Sequence, residues 1–229
     1  MLILAFDTSG AGLDICLWRD GAVLAAHRAA MDRGQAEALM PAINAVMARA
    51  GVDYAALDRV AVTCGPGSFT GVRVSLAAAR GIALAADIAC IGVASTEVLA
   101  AAVPAHERRT GDGTARRIAA VIDTKRGDLY AQMFSADGAA LTPPLNVAIN
   151  QVAQLADAGP LVLVGDAAAT VTAALAAGHA VISAAPAHCD AAVLAALAAS
   201  RAADTGGPAP IYVRPPDITP DPTGGRLRP

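Results

Sequence analysis

The sequence predicts an α/β protein of two lobes, each with the element order βββαβαβα. Three observations carry that reading. Short apolar runs of strand length alternate with stretches whose apolar residues recur at helical spacing. The order of these segments occurs twice along 229 residues. Two local signatures also recur at matching places: Phe6-Asp7-Thr8 with Ile122-Asp123-Thr124, and Asp20-Gly21 with Asp137-Gly138.

In the first half, residues 2–6 (LILAF) read as a buried strand and 13–19 (LDICLWR) as a second, alternating one. Asp20-Gly21 makes a tight turn into a third strand at 22–29, because glycine supplies the positive φ of such turns. Residues 35–50 form a helix with Leu39, Met40, Ile43 and Met47 at helical spacing, ended by Gly51. A strand at 59–63 leads into Gly65-Pro66-Gly67-Ser68-Phe69-Thr70-Gly71, then a helix at 72–86 with a face of small residues. A strand at 88–93 and a helix from Ser95, read as its N-cap, complete the unit.

Residues 104–116 are polar, with Pro, Gly and charges, and mark a boundary. The pattern then restarts. Strands are expected at 119–123, 129–134 and, more weakly, 139–147; a helix at 150–157, a strand at 161–164, a helix at 167–177, a strand at 180–183 and a helix at 190–202 follow. Ile211 to Arg214 reads as a short docked stretch before a proline-rich end. The expected division is therefore 1–104, 105–214 and a tail at 215–229. A duplicated βββαβαβα unit is the layout of the actin/sugar-kinase/Hsp70 superfold, in which two ribonuclease-H-like lobes flank a cleft.

Composition narrows the function classes. Hydrophobic residues make up 55% and charged residues 16%, so a buried core is available and wholesale disorder is excluded. Aromatics are only 3%, which leaves alanine, valine and leucine to fill closely approaching helices. The formal net charge is -3, without a Lys/Arg run, so the chain by itself is a poor binder of nucleic acid. Cys16, Cys64, Cys90 and Cys189 lie far apart with no CxxC pair, which suits reduced buried thiols. The N-terminus meets a charge at Asp7 and lacks a basic leader region, and the charge-free stretch 167–189 is broken by Gly178, His179 and Pro186. A cytoplasmic protein without a membrane span is expected.

Four groups of residues bear on the chemistry. Asp7-Thr8-Ser9 opens a glycine-containing turn whose backbone can cradle an anion and whose carboxylate can hold Mg²⁺ through water; the competing reading is a turn capped by Asp7. The loop of Gly65, Gly67, Ser68, Thr70 and Gly71, followed by Arg73, opens a helix and so exposes free N–H groups. It lacks Walker A spacing, and Pro66 stands where a nucleophile elbow needs glycine. The preferred reading is a structural loop capped by Ser68 or Thr70, with a partner interface second. His27, His106, His179 and His188 contain no i, i+4 pair for a metal. Finally, Leu39, Met40, Ile43 and Met47 on one helix, and Val72, Ser75, Ala77, Ala78, Ala79, Gly81 and Ile82 on the next, suit either core packing or an intermolecular helical bundle.

At this point several segments resemble one family. Ile3-Leu4-Ala5-Phe6-Asp7-Thr8-Ser9, Ala36-Glu37-Ala38-Leu39-Met40-Pro41 and above all Gly65 through Arg73 (GPGSFTGVR) are similar to the TsaB (YeaZ) family. Asp123 to Tyr130 (DTKRGDLY) and Pro210-Ile211-Tyr212-Val213-Arg214 resemble its later motifs. The resemblance implies a non-catalytic bacterial subunit of the complex that installs threonylcarbamoyl on the tRNA adenosine beside the anticodon. It implies that the partner is TsaD, the catalytic paralogue carrying the metal-binding histidines, with the ATPase TsaE joining. Contact through the first two helices, a homodimer when alone, tRNA met only through the complex, and no cofactor are implied as well. The chain departs from the family pattern at Gln35, where many members have His, at Asp128, where Glu is usual, and at Arg126. The alternative is a phosphotransferase or ATPase of the same superfold acting through Asp7. A metalloprotease-like activity ranks last for want of ligand histidines.

Overall fold

The first strand already shows how the molecule is layered. In β1 (Leu2–Asp7), Ile3 and Ala5 point into one apolar cluster, while Leu2, Leu4 and Phe6 point into another. A strand buried on both faces belongs at the centre of a sheet covered on both sides. β1 pairs antiparallel with β2 (Gly12–Arg19), which pairs with β3 (Ala22–Ala30). On its other side β1 runs parallel to β4 (Arg59–Thr63), and β4 to β5 (Ala89–Val93). The computed structural model describes residues 1–156, 159–175, 180–203 and 206–214.

The second half repeats this sheet. β6 (Arg117–Asp123), β7 (Leu129–Phe134) and β8 (Leu145–Val147) form the antiparallel part, and β9 (Leu161–Val164) and β10 (Ala180–Ile182) continue in parallel from β6. The spatial orders are β3-β2-β1-β4-β5 and β10-β9-β6-β7-β8. Two sheets of matched topology establish the two-lobe, actin-like arrangement read from the sequence.

Helices make the remaining layers. α1 (Gln35–Ala50) and α2 (Phe69–Ala86) cover the outer face of the first sheet. α4 (Ile149–Ala156) and α5 (Ala168–Ala174) cover that of the second. Between the sheets lie α3 (Ser95–Ala102) and α6 (Ala191–Ser200). These two cross over: α3, from the first half, packs on β6 and β7, and α6, from the second, packs on β1, β2, β4 and β5. The middle core joins Ile3, Ala5, Val98 and Leu99 to Ile118, Phe134, Val162 and Leu194. The change of sheet near residue 104 is thus a boundary for strands and not for packing.

Three local expectations change. The helix expected from 72 begins at Phe69, because the Ser68 side chain caps it by accepting from Gly71 N at 3.2 Å. Ser95 is the first helical residue and not the cap: Ala94 holds that place, and the Ser95 hydroxyl is engaged with Ser9 Oγ at 3.1 Å. The strand expected over 139–147 shrinks to Leu145–Val147, because Pro143 and Pro144 have no N–H for a ladder. The last residues of the helix expected at 167–177, His179 and the tail at 215–229 lie outside the described residues.

Residues 206–214 form an extended strap that closes the chain over α2. Ile211 N donates to Cys64 O at 2.8 Å, and Arg80 Nε donates to Pro208 O at 3.1 Å. Arg214 pairs with Asp128 in the loop after β6, so the strap ties both lobes. The docked stretch expected at 211–214 is this strap.

Candidate functional site

The glycine loop and the first turn are built against one another. Gly71 lies so close to Thr8 that any Cβ would overlap the Thr8 carbonyl, and Gly67 meets Ser9 O in the same way. Ser68 N donates to Ser9 O at 2.8 Å, and Thr8 Oγ1 donates to Gly71 O at 2.7 Å. The loop therefore seats α2 on the turn after β1, and its glycines permit that approach.

Asp7 ends β1 beneath this seat and is only 4% exposed. Its Oδ1 accepts from Ser9 N at 3.0 Å and from the Thr63 hydroxyl at the end of β4. Burial pushes its pKa above the ordinary carboxylate range, against the lowering effect of those hydrogen bonds. Asp7 is thus the acceptor at the centre of a capped turn.

Beside it lies a cluster invisible in the linear order. Asp14 of β2 sits 3.3 Å from His188 Nε2 and 4.0 Å from Arg28 Nε of β3. Asp190 caps α6 through bonds to Ala192 N and Val193 N at 2.7 and 3.3 Å. Burial first, then the neighbouring Asp190, pushes the Asp14 pKa up to about 7. Burial and then Arg28 push His188 down. Among the described residues no three His, Cys, Asp or Glu side chains are grouped to hold a metal ion. The thiols of Cys16, Cys64, Cys90 and Cys189 are all pushed upward, first of all by burial. A cavity of about 470 Å³ opens between β5 and the strap, bordered by the Glu97–Arg201 pair, and shares no residue with the Asp7 cluster.

The helix residues expected at an interface are mostly turned inward. Leu39, Ile43 and Met47 of α1, and Val72, Ser75, Ala79 and Ile82 of α2, are buried against the first sheet. They cannot meet a partner in this structure. The physical reason is that the most apolar stripe of a helix in an α/β layer is spent on its own sheet. Met40 is 40% exposed and Ala78 half-buried. The outward face includes Ala77 and Gly81, two of the small residues read on α2, together with Pro41, Ala45 and Ala48 on α1 and Leu84 and Ala85 on α2, which sequence reasoning did not assign to it. Leu84 is 85% exposed. The signal was present: subtracting the core stripe from each helix leaves these residues. α2 has the length and apolarity of a membrane-crossing helix, but here it lies against β4 and β5.

A second missed feature stands at the start of α2. The Arg73 guanidinium lies 3.6 Å from the Phe69 ring centroid, and its Nε donates to Tyr212 Oη at 2.8 Å. Both rings are more than half exposed. Exposed aromatics in an aromatic-poor chain were the available clue.

Two ribonuclease-H-like sheets with exchanged middle helices define an actin-like, two-lobe protein. A glucomannokinase from Arthrobacter shares that fold at TM-score 0.53 with 11% identity, over 86% of this chain and 98% of the kinase. The solved structure of YeaZ from Pseudomonas aeruginosa superposes at TM-score 0.74 with 25% identity, covering 92% of this chain and 99% of that one. A family model described as TsaD, tRNA N6-adenosine threonylcarbamoyltransferase, matches residues 29–203. The tRNA threonylcarbamoyladenosine biosynthesis protein TsaB of Escherichia coli K12 is 33% identical over 137 residues, 60% of this chain and 56% of the relative. The matched segment thus spans about half the length of that relative. An uncharacterized protein of Mycobacterium tuberculosis H37Rv is 32% identical over 221 residues, 95% of this chain and 94% of the relative. The chain belongs to the TsaB (YeaZ) family.

Proposed function

We propose that this chain takes part in threonylcarbamoyladenosine formation in tRNA as a non-catalytic scaffold subunit. It docks a TsaD-like catalytic paralogue, with a TsaE-like ATPase joining the assembly, and meets tRNA only through that complex, in the cytoplasm. Family membership and the names of its relatives support the pathway. The observation that carries the scaffold role is the outward face of α1 and α2: small residues and Leu84, open to solvent, on two helices lying side by side. Small side chains let a second pair of helices approach closely. Burying about 800 Å² per partner suffices for a specific complex. The same face serves for self-association when the partner is absent. An enzymatic reading through Asp7 has against it that this carboxyl is buried and held by Thr63 and Ser9.

The test is co-purification with the paralogue, using Leu84→Glu and Ala77→Glu. Both variants are expected to fold and to lose binding by 30-fold or more. Unchanged co-purification would reject the docking face. Tight nucleotide binding to the isolated chain, weakened by Asp7→Asn, would favour the phosphotransferase instead.

A further inference from the structure

We infer that the Phe69–Arg73–Tyr212 cluster is the anchor of the partner contact, and that the partner subunit presents a carboxylate flanked by apolar side chains to it. The inference rests on the docking reading above and deepens it.

Position comes first. Phe69, Arg73, Ala77 and Leu84 follow one another at four, four and seven residues, one or two helical turns each, so they lie along one stripe of α2. The cluster is therefore the N-terminal end of the outward face and not a separate surface. The strap borders this end of the face, since Arg73 and Arg80 both bond to it.

Chemistry comes next. The chain has three Phe, three Tyr and one Trp. Phe6 and Phe134 are wholly buried, whereas Phe69 is 56% and Tyr212 52% exposed, with ring centroids 5.7 Å apart. Two large apolar rings side by side in water are an exposed patch of a kind that binding surfaces use. Tyr and Arg are the residue types that concentrate binding energy at interfaces.

The guanidinium is held in advance. It stacks on Phe69, lies 5.5 Å from the Tyr212 centroid and, among the described residues, donates only through Nε. Among the described residues no carboxylate pairs with Arg73 or Arg80. The two terminal nitrogens of Arg73 are left for a planar, bidentate acceptor. Tyr212 is itself fixed, because the neighbouring Ile211 N–H is bonded to Cys64 O. A side chain ordered before binding loses little freedom on binding.

A nucleic-acid phosphate could satisfy the same fork. The surroundings favour a protein carboxylate: along the stripe lie the apolar Ala77, Gly81 and Leu84, and its second cation, Arg80, is turned to the Pro208 carbonyl of the strap, which leaves Arg73 without the clustered cations that a phosphate backbone requires.

The test measures partner affinity by calorimetry for full-length Phe69→Ala, Arg73→Glu and Leu84→Glu, at low and high salt. Phe69→Ala keeps the Arg73–Tyr212 bond and removes an exposed ring, so it folds; thermal melts check all three. Arg73→Glu is expected to weaken binding at least 30-fold and Phe69→Ala about tenfold, with the salt dependence reduced in Arg73→Glu. Retention within twofold by both, while Leu84→Glu loses binding, overturns the anchor and leaves the docking face standing. Retention by all three removes the docking face and the anchor together. Unchanged partner affinity with weakened binding of tRNA to the isolated Arg73→Glu chain also overturns the anchor and assigns the fork to phosphate.

Discussion

The two lobes share a strand order and differ in what covers them. The first sheet carries outer helices of 16 and 18 residues; the second carries outer helices of 8 and 7. At 1.5 Å per residue an 18-residue helix is about 27 Å long and an 8-residue helix about 12 Å. The first lobe thus has two full-length rods with an outward side to spare, and the second has short ones that do little beyond closing its core. The aspartates at the matching strand ends diverge too. Asp7 is sealed, and burial raises its pKa; Asp123 is partly open, and its bonds to Lys125 lower it. Equivalent sequence signatures reach opposite electrostatic states because Asp7 is enclosed and held by Ser9 and Thr63, whereas Asp123, beside the close-packed Gly165–Asp166 loop, stays open to Lys125. Duplication supplied the frame, and the outer layer set each lobe apart.

That contrast can be broken most sharply by placing a charge on either side of one helix layer. Ile43→Asp buries an unpaired carboxylate in the first core and should cost upward of about 4 kcal/mol, leaving little folded protein. Leu84→Glu on the solvent side should stay within about 0.5 kcal/mol of the parent in urea unfolding. Equal costs would mean the assigned faces are wrong. Next in size, Gly71→Ala forces Cβ onto the Thr8 carbonyl and should lose about 3 kcal/mol. Gly127→Ala in the second lobe, at φ 85 but with open space around it, should lose only about 1 kcal/mol.

Smaller still is the effect of Thr63→Val, which strips a donor from buried Asp7; a loss of about 1–2 kcal/mol is expected. Lys125→Ala, which removes an exposed pair, should change stability by under about 1 kcal/mol. A loss with Lys125→Ala as large as that with Thr63→Val would erase the difference between the two turns. An effect of similar size and opposite sign concerns Asp14. Folding raises its pKa from 3.8 to about 7, so its charged form is the costly one in the native state. Both states are protonated below the unfolded value, and the penalty grows as pH climbs from about 4 to 7. Asp14→Asn should therefore gain about 1 kcal/mol at pH 8, and the gain should fade toward pH 4. A pH-independent difference between the two proteins would refute the assignment.

Much of the frame could be read from residue order. The bounds of α1, β4, β7 and β9 follow from apolar periodicity and from stops such as Gly51, because each element is covered in a way that its own pattern records. Asp7 as a capped turn and Ser68 as a cap are local chemistry and equally legible. The helix faces were not, since periodicity marks the greasiest stripe and that stripe belongs to the sheet. The site proposed for a partner lies on what remains, a plainer row of Ala77, Gly81 and Leu84. The contacts of Asp14 with His188, and of Arg73 with Tyr212, join distant parts of the chain, and only the tertiary path brings them together.

The exchange of α3 and α6 has a consequence for the protein as a piece of material. A backbone nick in the exposed turn at 110–113 would produce two fragments, each displaying one wall of a shared apolar seam. Neither fragment would hold its inner helix in place by itself, yet mixed together each would supply the wedge the other lacks. Such a chain tolerates interruption at its midpoint better than loss of either end.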